Sequence, residues 1–130
     1  MSVEARREKR KTILLEELNR LVDAAVEMGA EKVILFGSLA RGDIGSASDI
    51  DLVIIKETDK KFLDRLDEFY TKTQPRVAVD VLIYTPEEIK MLDKTRRFVR
   101  RILTEGVVKF EKAHNGRGSE VVESSTERPQ

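Results

Sequence analysis

Apolar residues recur at helical spacing near the start of the chain. Leu14, Leu18, Leu21 and Ala25 form one stripe, and Ile13, Leu15, Val22 and Val26 widen it. The pattern predicts a long helix over residues 4–28, stopped at Gly29. The period then changes. Val33-Ile34-Leu35-Phe36 is a short apolar run closed by Gly37, which reads as a buried strand. Residues 38–41 read as one helical turn, and Gly42-Asp43-Ile44-Gly45-Ser46 as a loop. A second strand is expected at 48–55 and a helix at 59–72, with Phe62, Leu66 and Phe69 on one face. Pro75 closes the next connection, and Val77 to Tyr84 reads as a third strand. Thr85-Pro86-Glu87-Glu88 is a helix start: a hydroxyl cap, a proline at the first helical position, then acids where the helix dipole favours them. That helix is expected to run to about Thr104, Glu105-Gly106 to break it, and Val107 to Phe110 to add a short edge strand.

This order predicts an α/β architecture: a small mixed sheet of three to four strands with helices packed on it. A two-sided parallel dinucleotide fold is not expected, because no G-x-G-x-x-G follows a strand. From Ala113 the chain reads AHNGRGSEVVESSTERPQ, poor in apolar residues and rich in Gly, Ser and charge. The expected organisation is one folded domain over residues 1–112 and a disordered tail over 113–130.

Composition narrows the chemistry. The 130 residues suit one modest core. No apolar run approaches a membrane span. The opening MSVEARREKRK has no apolar signal core, so a cytoplasmic protein is expected. With no Cys and a single His, any metal has to be held by carboxylates, which favours Mg²⁺ or Mn²⁺ over Zn²⁺. The 24 basic and 24 acidic residues cancel, which argues against a nucleic-acid partner.

Two aspartates stand out on the second strand. Asp49 and Asp51 are two apart, so their carboxylates leave the same face, with Cα atoms roughly 6.5–7 Å apart. Two anions on one face repel unless something positive lies between them. The plain alternative is a solvated strand face, but Leu52-Val53-Ile54-Ile55 follows and looks buried on both sides. Asp80 is the only charge in Val-Ala-Val-Asp-Val-Leu-Ile-Tyr. Burying an unpaired carboxylate costs several kcal/mol or more. A salt bridge, for example to Arg41, would satisfy it. A divalent metal shared by three acids on adjacent central strands explains all of them together. Gly37-Ser38 sits where a strand turns into a helix, a place where backbone N–H groups approach an anion closely. Arg41, one turn on, can reach the same anion. Taken alone, Gly-Ser is more often an ordinary turn with a cap.

Together these residues spell Gly37-Ser38, ten residues, Asp49-Ile50-Asp51, and a third acid at Asp80. That text resembles the G-S-x10-D-x-D signature of the DNA polymerase β-like nucleotidyltransferase superfamily. GSLARGDIGSASDIDLVI resembles its minimal, antitoxin-type branch, and the likeness covers residues 30–110. The resemblance implies a palm-like core. It implies that Asp49, Asp51 and Asp80 are catalytic and bind Mg²⁺ or Mn²⁺. It also implies that Gly37 and Ser38, helped by Arg41, bind a nucleoside triphosphate such as ATP. The remaining length leaves no room for a fingers, thumb or substrate-binding helical domain, so the acceptor hydroxyl is expected from a partner. In this branch the partner is a HEPN-type ribonuclease toxin, and AMP goes onto one of its tyrosines.

Two other readings stay open. One is a non-catalytic, partner-binding antitoxin module; the other is nucleotidyl transfer to a small molecule or an RNA end. Lys94, Arg96, Arg97, Arg100 and Arg101 form a basic stretch, which reads either as a solvated helix face or as a docking surface for an acidic partner or RNA. Tyr84 shares a strand face with Asp80, and packing is its expected role.

Overall fold

The computed structural model describes residues 2–43, 49–113 and 121–122. In chain order the elements are α1 (Val3–Glu27), β1 (Lys32–Phe36), α2 (Gly37–Ala40), β2 (Ile50–Ile55), α3 (Phe62–Thr73), β3 (Val79–Tyr84), α4 (Pro86–Thr95), α5 (Arg97–Glu105), β4 (Val107–Lys112) and the two-residue β5 (Val121–Val122). The strands form one mixed sheet in the order β3-β2-β1-β4-β5. The β2–β3 pair is parallel and the other pairs are antiparallel. This is the expected α/β architecture. Of the expected loop, Ile44–Ser46 lies outside the described residues. So does the expected tail, apart from Ala113 and Val121–Val122, which pair with Lys112 and Glu111.

Helix α1 starts at Ser2, whose Oγ accepts the Ala5 N–H at 3.0 Å. It stops at Gly29, which takes φ +101°. There the Ala30 N–H reaches Ala25 O and the Gly29 N–H reaches Val26 O, each at 3.0 Å, so two last-turn carbonyls are satisfied. The buried stripe is Leu14, Glu17, Leu18, Leu21, Val22 and Ala25. Ile13 and Leu15 do not widen it; they are 42% and 39% exposed. The helix has 25 residues, about 37 Å at ~1.5 Å per residue. A strand of this sheet spans about 20 Å, so the first turns of α1 overhang it.

Strand alternation sorts side chains between two faces. Val33, Leu35, Ile50, Leu52, Ile54, Val81 and Ile83 meet α1 and Phe69 of α3 on the first face. Ile34, Val53 and Ile55 meet Ile102 of α5 and Ile89 of α4 on the second. The β1–β4 register shifts between Val33 and Ile34, so that Val33 faces Phe110 while Ile34 faces Val108. The shift turns Phe110 to the first face and leaves Val108 on the second.

The last helix is not continuous. Arg96 adopts φ −126°, ψ 113° and separates α4 from α5. A straight helix over this stretch would run about 30 Å, whereas the five strands at ~4.8 Å spacing are about 19 Å across. The break lets Ile89 and Ile102 both sit on the second face.

Two buried ionic groups tie the layers. Glu17, 4% exposed, accepts from Arg20 Nε and Nη2 at 2.8 and 2.7 Å and from the Arg76 N–H at 2.7 Å. Arg65, 7% exposed, donates to both Glu88 oxygens at 2.7 and 3.0 Å, to Ile83 O at 2.9 Å and to Lys60 O at 2.8 Å. Glu88 also closes the expected cap of α4: its N–H meets the Thr85 hydroxyl and its carboxylate accepts the Thr85 N–H. No helix among the described residues is long and apolar enough to cross a membrane.

Candidate active site

The site forms where β1 ends and β2 and β3 begin. In the parallel β2–β3 pair, Asp51 lies directly beside Asp80. In the antiparallel β1–β2 pair, Asp51 lies opposite Phe36. Gly37 follows Phe36 with φ +77°, a conformation that glycine adopts without strain. It also has no side chain where one would collide with the Asp51 carboxylate; a Cβ built there would be 3.0 Å from Asp51 Cγ and would overlap Oδ2.

The Asp51 carboxyl is pushed up to about 6, first by burial and then by the charge of Asp80. A hydrogen bond between the two acids, which needs a proton on one of them, and the charge of Asp49 raise it further; Arg41 pulls it down. The four groups therefore share one electrostatic environment. Asp80 is the strand neighbour of Asp51, and Asp49 acts on it through its charge.

Two expectations need correction. Asp80 is exposed, not buried, because β3 is the edge strand of the sheet rather than a central one. Its apolar neighbours Val81 and Ile83 are buried because the first-face core covers them, not because a strand lies on either side. Strand β2 begins at Ile50, so half-buried Asp49 precedes it. Among the described residues, no three of His, Cys, Asp and Glu stand close enough to ligate an ion as placed.

Gly37, Arg41 and Asp51 line one pocket of about 270 Å³. Ser38 is half-buried in the same turn, where its carbonyl accepts the Asp43 N–H at 2.9 Å. The opposite wall was not anticipated from the sequence. It is the face of α5 carrying Phe98, Arg101, Ile102 and Glu105, with Gly106 beyond it. The spacing of 98, 101, 102 and 105 marks one helical face, and that was the available signal. Tyr84 lies elsewhere. Its ring packs on Phe62 at 5.6 Å, and both border a shallow apolar groove with Met91 and Leu92, so its role is packing.

The oxygen-only donor set of Asp49, Asp51 and Asp80 suits a hard divalent cation. Burial first, and then the Asp80 charge, make the ionised Asp51 carboxylate costly, and such a cation would relieve that cost. A mixed sheet that gathers acids at its strand ends, beside a glycine turn bearing an arginine, defines a nucleotidyltransferase core. The chain belongs to the nucleotidyltransferase domain family, which it matches over residues 12–110. It is 36% identical over 81 residues to a Methanocaldococcus jannaschii protein named "Putative protein adenylyltransferase", covering 62% of this chain and 78% of that one. The crystal structure of "a putative nucleotidyltransferase from Sulfolobus solfataricus" shares the fold, with TM-score 0.58 and 20% identity over 88% of this chain and 92% of that one.

Proposed function

We propose that this nucleotidyltransferase moves AMP from ATP onto a hydroxyl of a partner protein. The partner we propose is a HEPN-type toxin, the acceptor one of its tyrosines, and the role of the domain that of an antitoxin. Nucleotidyl transfer follows from the family. A protein acceptor is supported by the name of the Methanocaldococcus relative and by the antitoxin-type text of the Gly37–Ile54 segment. The observation that carries the chemistry is the Asp51–Asp80 pair beside Gly37 and Arg41.

Each residue has a task that its position permits. Asp49, Asp51 and Asp80 would hold Mg²⁺ or Mn²⁺. When bound, the ion neutralises phosphate charge and makes the acceptor hydroxyl more acidic. Gly37 lets a phosphate approach the backbone, Ser38 adds a hydroxyl donor, and Arg41 offers a guanidinium fork. The acceptor oxygen attacks the α-phosphorus in line, the bond to pyrophosphate breaks, and the hydroxyl proton passes to Asp80, whose exposed carboxylate an outside hydroxyl can reach. Positioning and charge complementarity supply most of the acceleration.

The test is incubation of the full chain and the protein that co-purifies with it, with α-labelled ATP and Mg²⁺. Label on a tyrosine of the co-purifying protein, lost in Asp51→Asn and Asp80→Asn, is the expected result. Tight association without label would instead make the domain a binding module.

A further inference from the structure

The wall facing the Gly37 turn belongs to α5, which the sequence marks only as basic. Its residues 98, 101, 102 and 105 share one helical face, and that face borders the pocket of Gly37, Arg41 and Asp51. Two of its side chains do little for the fold. Val99 and Ile102 are the buried residues of α5, yet Phe98 beside them is 57% exposed. The Phe98 ring meets that of Phe36 edge to face at 6.0 Å, which sets its orientation but leaves much of it open. Arg101 pairs with Glu105 at 3.8 Å, and both side chains are about two-thirds exposed, at 69% and 68%. An exposed pair at that distance contributes little, so Arg101 can exchange Glu105 for a stronger anion at small cost.

Resting on the nucleotidyl-transfer reading, we propose that α5 is the second wall of the nucleotide site. Phe98 is a platform on which the base stacks. Arg101 is a second guanidinium that holds the triphosphate across the pocket from Arg41. An aromatic platform accepts every base because every base has a π-face. A guanidinium fork matches phosphate oxygens better than an ammonium does. Glu105 then opposes the polyanion and holds Arg101 until nucleotide arrives.

Calorimetric titration of the full chain in Mg²⁺ with ATP, GTP and AMP tests this. Phe98→Ala should weaken all three about tenfold and alike, and Phe98→Tyr should restore them. Arg101→Ala should weaken ATP and GTP about tenfold and AMP much less. Glu105→Gln should tighten ATP, a gain that misfolding cannot mimic. If the wild-type chain binds ATP and the alanine variants bind it equally well, α5 is not part of the site and the inference fails while nucleotidyl transfer stands. If Phe98→Ala spares nucleotide binding but abolishes association with the co-purifying protein, Phe98 is a docking residue and the inference fails in that way. If the wild-type chain binds no nucleotide, both readings fall.

Discussion

A side chain on Gly37 and the carboxylate of Asp51 would occupy the same space. β1 ends with Phe36 opposite Asp51, so the next residue has to turn over that carboxylate, and it does so at φ +77°. Gly37→Ala meets both the collision and the backbone strain, which costs about 1–3 kcal/mol for the strain alone. The variant should melt several degrees lower and lose nucleotide binding. Thermal denaturation and calorimetric titration with ATP check this; wild-type affinity would show that the turn does not shape the site.

Asp51 and Asp80 press like charges together, so neutralising one should stabilise the metal-free fold even as it removes activity. Asp51→Asn is expected to melt higher than wild type in EDTA at pH 7 and to transfer no label. Adding Mg²⁺ should raise the wild-type melting temperature and leave that of the variant nearly unchanged. A wild-type melting temperature indifferent to Mg²⁺, Mn²⁺ and EDTA would argue against a cation at this pair.

Glu17 predicts an acid-sensitive term in stability. Its hydrogen bond from Arg20, supported by the Arg76 N–H, holds its carboxyl below the ordinary value of 4.5 despite burial. A folded pKa that is depressed gives stability that is present above the unfolded pKa and disappears as pH falls through the folded one. Glu17→Gln should therefore cost about 1–3 kcal/mol at pH 7, and the gap from wild type should narrow toward acid. Urea unfolding at a series of pH values measures it; a gap that widens in acid would contradict the assignment.

Arg65 should resist even conservative replacement. Its fork spans both oxygens of Glu88 while its other hydrogens reach Ile83 O and Lys60 O, joining α3, β3 and the start of α4. Lysine has the charge but not the fork. Arg65→Lys is expected to lose about 1–3 kcal/mol, with an amide-exchange increase concentrated at the first turn of α4. Wild-type stability in the lysine variant would mean that charge alone suffices there.

The aspartates were legible because strand alternation and local spacing are short-range facts. Asp49, Asp51 and the Gly37 turn lie within fifteen residues of one another, and their text is informative by itself. The exposure of Asp80 was not legible. Val-Ala-Val-Asp-Val-Leu-Ile-Tyr looks central because it is apolar throughout apart from Asp80, and an apolar run cannot tell whether a strand has one neighbour or two. The break at Arg96 was hidden for a similar reason. No Pro or Gly marks it, and only the packing of Ile89 and Ile102 on one sheet face shows why the helix bends there. The burial of Glu17 has no local signal, since the Arg76 N–H that it accepts lies 59 residues away.

In the proposed mechanism, the rim position of Asp80 has a consequence for the acceptor. A reacting corner at the open flank of a sheet can meet a hydroxyl that stays attached to something far larger than the pocket, with no need to swallow it. The same openness leaves water able to compete as the nucleophile. In the absence of its acceptor, the domain should slowly split ATP into AMP and pyrophosphate.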